Sequence, residues 1–475
     1  MRFLFLLITV IFPSFAFAGT GMILRLSAPN MPNVTLVQGA TDCEATKNSM
    51  PKNNNETYYE SDDSYWPLDH CYWGNKNSHI SFTLMNGSTL LKNFDINLNK
   101  MDQIQDFSEI TPDGSTRVTF QHFSNYGSTL TRQSQDRFEI TVTTNPFKED
   151  EKLPLNKQLL IGSHDSGTSS IANARYDNKN HPFTSDALYW FTWDPDLAYG
   201  WEKSQNTPII EQLKMGVRYL DLRLCGSSID FFHPNSTPIS LGSNIVTCHA
   251  QAGDTFQTVL DQVSDFIDNH NPNKDVVILD INHIYGMTID QAKTIITQLN
   301  AKFGEKVAEP TKYQPSTPIQ EFKDNGKQVV VIMSADADNL CGADLRQCPG
   351  NDNILPTLKS YSNFWLKNTI VSDWHDTNDE TVNENKSKAD LDTRTTGDNV
   401  NKLFVLQSQL TPVTGDVLST LDFVGSWPRN LKDFTGTYQF NMSKWIQDNG
   451  HQLKKGGFII IRDFVPGWDG LPDDN

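Results

Sequence analysis

Residues 161–168 read IGSHDSGT, an apolar lead-in that ends on His164 and Asp165. A core strand has no use for an imidazole beside a carboxylate, because burying either without a partner is costly. The same juxtaposition recurs down the chain. VRYLDLRL (217–224) carries Asp221 and Arg223, and NIVTCHA (244–250) carries His249. DVVILDINH (275–283) carries Asp280, Asn282 and His283, KLFVLQSQL (402–410) carries Gln407 and Gln409, and GFIIIRDF (457–464) carries Arg462 and Asp463. Side chains alternate along a strand, so Asp221 shares a face with Arg223 and Asp280 with Asn282; His283 falls opposite Asn282 and reads as structural. Two imidazoles, several carboxylates and a guanidinium suit phosphodiester chemistry. A neutral His takes the proton of an attacking hydroxyl and a protonated one supplies the leaving oxygen. An Arg fork neutralises charge on the phosphate, and a carboxylate behind the base fixes its tautomer. That scheme needs no metal and no other cofactor. Taken alone, Asp221 and Arg223 also fit an internal ion pair. Ser163 and Ser166 flank His164 outside any G-x-S-x-G elbow, which argues against a serine hydrolase.

The groups need a scaffold that gathers strand ends. Eight apolar runs of strand length follow residue 155: 158–164, 217–224, 244–250, 275–283, 328–334, 368–374, 402–410 and 457–464. Near-continuous Val/Ile/Leu runs mark strands covered on both faces. Helical periodicity lies between several of them. It spans 254–270, with Asp254 expected as N-cap, and 288–303, with Thr288 and Gln291 in a capping-box pattern; 206–216 has Pro208 in its first turn. The expected fold class is α/β, a TIM-like (β/α)8 barrel over residues 151–475, whose active site collects at the C-terminal strand ends. Residues 19–150 instead alternate apolar and polar in GMILRLSA, HISFTLMNG, STRVTFQHF and RFEITVTT, which predicts a smaller all-β, sandwich-like domain without chemistry of its own. Residues 44–63 read as a loop, 145–154 as a linker, and 376–398 as a mobile polar loop.

The formal charge of −18 excludes nucleic acid as a partner and excludes adsorption to anionic lipid through a basic patch. Any membrane contact then falls to apolar and aromatic groups. The stretch 189–201, with Tyr189, Trp190, Phe191, Trp193, Tyr199 and Trp201, fits either an interfacial rim or a lid over the barrel. Residues 1–18 have the layout of a secretory signal peptide ending Ala16-Phe17-Ala18, so a secreted or periplasmic protein is expected, not a transmembrane one. Six cysteines in an exported chain allow 15 pairings, among which proximity favours Cys43–Cys71, Cys225–Cys248 and Cys341–Cys348. A monomer is expected.

IGSHDSGT, GVRYLDLRL, the CHA strand and VVILDINHIYGM, followed by KLFVLQSQLTP and GFIIIRDFV, resemble the X domain of phosphatidylinositol-specific phospholipase C over about residues 150–465. The bacterial secreted enzymes and the single-barrel X-domain-containing proteins are the most similar types. The resemblance implies that His164 is the general base, oriented by Asp463, and removes the proton of the inositol 2-hydroxyl. It implies His249, assisted by Asp165, as the acid that protonates the diacylglycerol oxygen, and Arg223 as the phosphate ligand, giving a 1,2-cyclic inositol phosphate. Asn282, Asp280, Asp221 and Gln407 would line the substrate site, and the partner would be a phosphoinositide or related phospholipid at a membrane surface. Asp221-Leu222-Arg223 stands where calcium-dependent members carry two acids, so no calcium requirement is expected. His249-Ala250 departs from the usual His-Gly. The competing readings are a non-catalytic phospho-ligand or lipid-binding protein on the same barrel, and a glycerophosphodiester phosphodiesterase, which would call for a carboxylate metal cluster.

Overall fold

The computed structural model describes residues 21–28, 31, 33–41, 45–48, 56–61, 79–97, 107–110, 116–126, 135–144, 149–171, 200–226, 244–249, 251–285, 287–333, 354–413 and parts of 416–465. The proposed signal peptide lies outside them, as do Cys43, Cys71, Cys341, Cys348 and the aromatic residues 189–199.

The N-terminal strands are β1 (Gly21–Ser27), β2 (Val34–Thr41), β3 (Ala45–Asn48), β4 (Glu56–Ser61), β5 (His79–Asn86), β6 (Thr89–Asn97), β7 (Phe107–Ile110), β8 (Thr116–Tyr126) and β9 (Gln135–Thr144). They form a six-stranded sheet, β3-β4-β1-β9-β8-β7, and a three-stranded antiparallel sheet, β2-β5-β6. Inward residues of both sheets share one core: Leu24, Phe120, Phe138 and Ile140 from the first, Phe82, Leu84 and Ile96 from the second. That common core is what alternating sequence builds when two half-apolar sheets face each other. Strands β3 and β4 occupy part of the stretch whose polarity suggested a loop.

The second half contains β10 (Leu160–Ser163), β11 (Val217–Cys225), β12 (Val246–His249), β13 (Gln251–Thr255), β14 (Val277–Tyr285), β15 (Val329–Met333), β16 (Phe364–Leu366), β17 (Ile370–Val371), β18 (Leu403–Gln407) and β19 (Ile459–Arg462). Eight of these run parallel in the order β16-β15-β14-β11-β10-β19-β18-β17, a nearly closed TIM-like barrel whose seam lies between β16 and β17. The membership differs from the sequence expectation in two places. The run ending at His249 is not a barrel strand; β12 and β13 form an antiparallel hairpin that pairs with the end of β11 through Leu224–Thr247 and Cys225–Val246. The barrel strand in its stead is Phe364–Leu366, too short to stand out by periodicity.

Strand alternation sorts the barrel's side chains into two layers. Leu160, Tyr219, Ile278, Val330, Trp365, Val405, Ile459 and Ile461 pack inside, whereas Val217, Leu220, Val277, Leu279, Val331, Leu406 and Ile460 face the helices. Gly162 belongs to the inner layer, where a Cβ would stand 2.5 Å from Ile461 Cγ2 and 3.0 Å from Tyr219 Cδ1. Helices α1 (Ile209–Lys214), α2 (Phe256–Asp265) and α3 (Ile289–Phe303) form close to their predicted positions. Thr288 and Gln291 make the capping box, but Thr255 rather than Asp254 caps α2, its hydroxyl accepting from Thr258 N. The stretch 376–398 is not a loop throughout. Glu380–Thr393 form helix α4, capped by Asp379 and seated on the barrel through Asn383, Ser387 and Leu391. Its apolar content is too thin for periodicity to reveal; a buried His375, bonded to Asp390 at 2.9 Å, helps hold it. Among the described residues no helix is long and apolar enough to cross a membrane.

Candidate active site

The inner-layer parity that places Leu160 and Gly162 inside carries on to His164, and that of Ile459 and Ile461 carries on to Asp463. Strands β10 and β19 are neighbours with Ser163 opposite Arg462, so His164 and Asp463 emerge side by side from adjacent strands. His164 Nδ1 lies 2.7 Å from Asp463 Oδ1. A carboxylate only accepts, so Nδ1 carries the proton and Nε2 is the exchangeable position. Nε2 faces Arg223 Nη2 at 3.4 Å and Asp165 Oδ2 at 3.4 Å. Asp165 Oδ1 takes the Arg223 Nε at 2.5 Å, and its Oδ2 is also 3.5 Å from His249 Nε2. His249 donates Nδ1–H to the carbonyl of Glu202 at 2.6 Å, which fixes its tautomer as well. The hairpin carrying His249 is joined to β11 by the predicted Cys225–Cys248 disulfide. Thus one buried carboxylate stands between two imidazoles and a guanidinium whose side chains are 15%, 21% and 23% exposed, open enough to meet a ligand.

Charge and burial set the proton inventory. Burial disfavours the imidazolium of His164, but the carboxylates of Asp165 and Asp463 and the hydrogen bond to Asp463 outweigh it, raising the pKa to about 9 against the opposition of Arg223. His249 is lowered, chiefly by burial and by Arg223, with Asp165 working the other way. Asp165 stays ionised despite burial because Arg223, His164, His249 and His283 all favour its charge. The two imidazoles together therefore hold a single proton near neutral pH, which is the number an acid–base pair requires.

The remaining predicted residues are present at the barrel mouth but mostly engaged. Asp221 is buried, raised by burial and by Asp165, and accepts the backbone N–H of Asp165 at 3.2 Å; it supports the turn rather than facing outward. Asp280 is fully buried, accepting from Tyr219 Oη at 2.5 Å and from Lys367 Nζ at 2.7 Å. Lys367 also donates to Asn282 Oδ1 at 2.8 Å. Gln407 is held by Ser372 at 2.8 Å and by Gln409. Asp221, Asp280 and Gln407 thus each have internal partners at the barrel mouth. Lys367 is a site residue that sequence reasoning missed, because it follows the three-residue strand β16; a cation directly after an apolar Phe-Trp-Leu run was the available signal.

His283 also differs from expectation. A register shift pairs Leu222 with Ile281 but Arg223 with His283, leaving Asn282 as the extra residue of a bulge. The phase of β14 reverses there, so His283 comes level with Arg223, acts on Asp165 and stacks on Tyr285 with ring centroids 5.7 Å apart. Ser163 and Ser166 are buried and hydrogen-bonded to each other at 2.6 Å, unsuited to nucleophilic attack. Trp201, the described member of the aromatic stretch, is buried against Val417, Leu431 and Phe464, with Phe434 beside it. His164, Asp165 and Asp221 each place a ligand atom within 4.8 Å of the others, a spacing a metal ion can use, but the Arg223 guanidinium already occupies the Asp165 side of that cluster.

No family model matches the chain. The variant-surface-glycoprotein phospholipase C of Trypanosoma brucei brucei is 24% identical over 325 residues, covering 66% of this chain and 82% of that protein. PI-PLC X domain-containing protein 3 of Danio rerio is 25% identical over 182 residues, 38% of this chain and 52% of its own length, and PI-PLC X domain-containing protein 1 of the same fish is 29% identical over 205 residues, 42% and 60%. The chain thus spans about half the length of the first of these curated X-domain relatives. Among solved structures, the phosphatidylinositol-specific phospholipase C from Listeria monocytogenes is 12% identical, with a TM-score of 0.41 over 66% of this chain and 90% of that one. The chain is a distant relative of the PI-PLC X-domain proteins.

Proposed function

We propose that this protein is a phospholipase C-type phosphodiesterase that cleaves phosphatidylinositol-like lipids to diacylglycerol and a 1,2-cyclic inositol phosphate. The observation that carries this reading is Asp165 Oδ2 lying 3.4 Å and 3.5 Å from the Nε2 atoms of two imidazoles while Oδ1 holds Arg223. A phosphodiester anion drawn to Arg223 relaxes the hold of that cation on Asp165; the freed carboxylate, whose Oδ2 faces both rings, then relays the one proton of the pair from His164 Nε2 to His249 Nε2, leaving His164 neutral as the base and His249 charged as the acid. His164 Nε2, backed by Asp463, takes the 2-hydroxyl proton; the 2-oxygen bonds to phosphorus; the bond to the glycerol oxygen breaks; and His249 Nε2 delivers its proton to that oxygen. Arg223 offsets charge on the phosphoryl oxygens throughout. A diester that cyclises on its own hydroxyl needs no external nucleophile, consistent with the burial of Ser163 and Ser166.

The chain as a secreted protein and the absence of a calcium requirement belong to the same proposal. The test is phosphorus NMR of products from phosphatidylinositol vesicles with a chelator present. The cyclic ester is expected from the natural protein and none from His164→Ala. A product other than the cyclic ester, dependence on added calcium, or unaltered turnover in His164→Ala would refute the reading.

A further inference from the structure

Residues 202–205 are not part of the barrel, yet they bond to the ends of β10, β12 and β19, the strands that deliver His164, His249 and Asp463. The carbonyl of Glu202 receives His249 Nδ1–H at 2.6 Å. The carbonyl of Ser204 receives Phe464 N–H at 2.8 Å. The backbone N–H groups of Ser204 and Gln205 donate to Thr168 Oγ1 at 3.1 and 3.0 Å, and that hydroxyl in turn donates to the carbonyl of Asp165 at 2.9 Å. The fully buried Gln205 side chain does most. Its amide donates to His164 O at 2.8 Å and Arg462 O at 3.0 Å, and its Oε1 accepts from Val465 N at 3.1 Å.

The chain leaves both strands through left-handed residues without the freedom of glycine: Asp165 at φ 43° after His164, and Phe464 at φ 49° after Asp463. Such conformations are strained for residues that carry a Cβ and persist only where the surroundings impose them. The ladder between β10 and β19 ends where those turns begin, with His164 N donating to Arg462 O at 3.1 Å. The Gln205 fork then takes over, bridging the carbonyl before one turn and the groups on both sides of the other.

We infer that Gln205 is the positioning residue that sets the distance between His164 and Asp463, clamping two strand ends through one amide. The clamp rests on the catalytic reading for its consequence in turnover but not for its geometry.

A matched control exists at the opposite end of β10. Gln158 is buried and makes the same set of bonds, donating to Asp150 O at 2.8 Å and Leu153 O at 3.1 Å and accepting from Asp150 N at 3.0 Å, away from either imidazole. In histidine-labelled protein the His164 Nδ1–H gives a low-field proton signal, assigned by its loss in Asp463→Asn. Gln205→Leu is expected to broaden or abolish that signal and to lower kcat at least ~10-fold with KM changed less than about threefold, since small misplacements of reacting groups cost up to ~100-fold. Gln158→Leu is expected to lose similar thermal stability while keeping signal and kcat. An intact signal with kcat within about twofold in Gln205→Leu, or an equal loss in Gln158→Leu, would overturn the assignment. Should Gln205→Leu not fold, Gln205→Glu decides. Its neutral acid keeps one donor, whereas its anion would face two carbonyls, so the signal should be present near pH 5 and lost by about pH 8. A signal indifferent to pH overturns the clamp. Failure of the natural protein to cleave phosphatidylinositol would sink the catalytic reading alone, because the imidazole signal is read without substrate.

Discussion

Replacing Asp463 with Asn separates two effects of one carboxylate on His164. The carboxylate lies 2.7 Å from Nδ1 and its side chain is 1% exposed, so water does little to screen it. His164 titrates at about 9 instead of 6.5, with burial opposed first by Asp165, then by the charge and hydrogen bond of Asp463. That difference is worth about 3 kcal/mol in favour of the imidazolium. Removing the Asp463 charge and its hydrogen bond takes away part of that preference, so the variant loses its last imidazole proton at a lower pH. The natural protein should show a bell-shaped kcat/KM: an acid limb below 6.5, where the lowered His249 gains a second proton for the pair, and an alkaline limb near 9, where His164 gives up the only one. In Asp463→Asn the alkaline limb moves toward neutrality, so the loss at about pH 8.5 exceeds the loss at about pH 7. A second effect lowers the whole curve. The Asn amide can donate to Nδ1, which shifts the proton to Nε2 and removes the base, a fault that costs ~10³–10⁴ in comparable triads. The assay is kcat/KM on dispersed short-chain phosphatidylinositol between about pH 5 and 10, alongside an NMR titration of the His164 ring. An alkaline limb that stays near 9 in the variant would refute the electrostatic account, whatever happens to the rate.

Three further outcomes are expected. Lys367→Met should destabilise by on the order of 3 kcal/mol in denaturant melts, because buried Asp280 loses its cation; adding Asp280→Asn should recover much of it, and strictly additive losses would refute the pairing. Gly162→Ala should cost about 1–3 kcal/mol, since the new methyl meets Ile461 at 2.5 Å; an unchanged melting curve would show that β10 yields freely. Glu149 is raised to about 8, mainly by burial and by Asp275. A raised acid stabilises the fold fully below pH 4.5 and loses that contribution as pH climbs through its folded value. Glu149→Gln should therefore flatten the decline of Tm between about pH 5 and 8, and a decline of unaltered slope would refute the assignment.

The parallel strands and most site residues were legible because a covered strand is apolar until the residue that faces the mouth. His164, Asp165, Arg223 and Asp463 are visible as polar endings to such runs, and the structure brings them together. What stayed hidden has physical causes. Strand β16 is three residues long, too short for period two to register, and Lys367 was hidden with it. His283 was misplaced because a bulge cancels alternation, and a bulge depends on the neighbouring strand, not on the run itself. Helix α4 is held by polar contacts of Asn383, Ser387 and His375, which leave no hydrophobic period to read. Gln205 carries no sequence mark of its role, since a buried amide bonded to backbone looks like any other glutamine until the strand ends are in place.

The hairpin bearing His249 grips β11 through only two register pairs and a covalent sulfur link between Cys225 and Cys248. Its imidazole is thus a stapled appendage, while its counterpart at 164 grows directly from a barrel stave. Cutting that staple with a reductant leaves the staves paired and the inner apolar layer filled. Catalytic competence would then fade at a milder redox potential than unfolding, giving a protein that keeps its shape in a thiol-rich compartment and goes silent there.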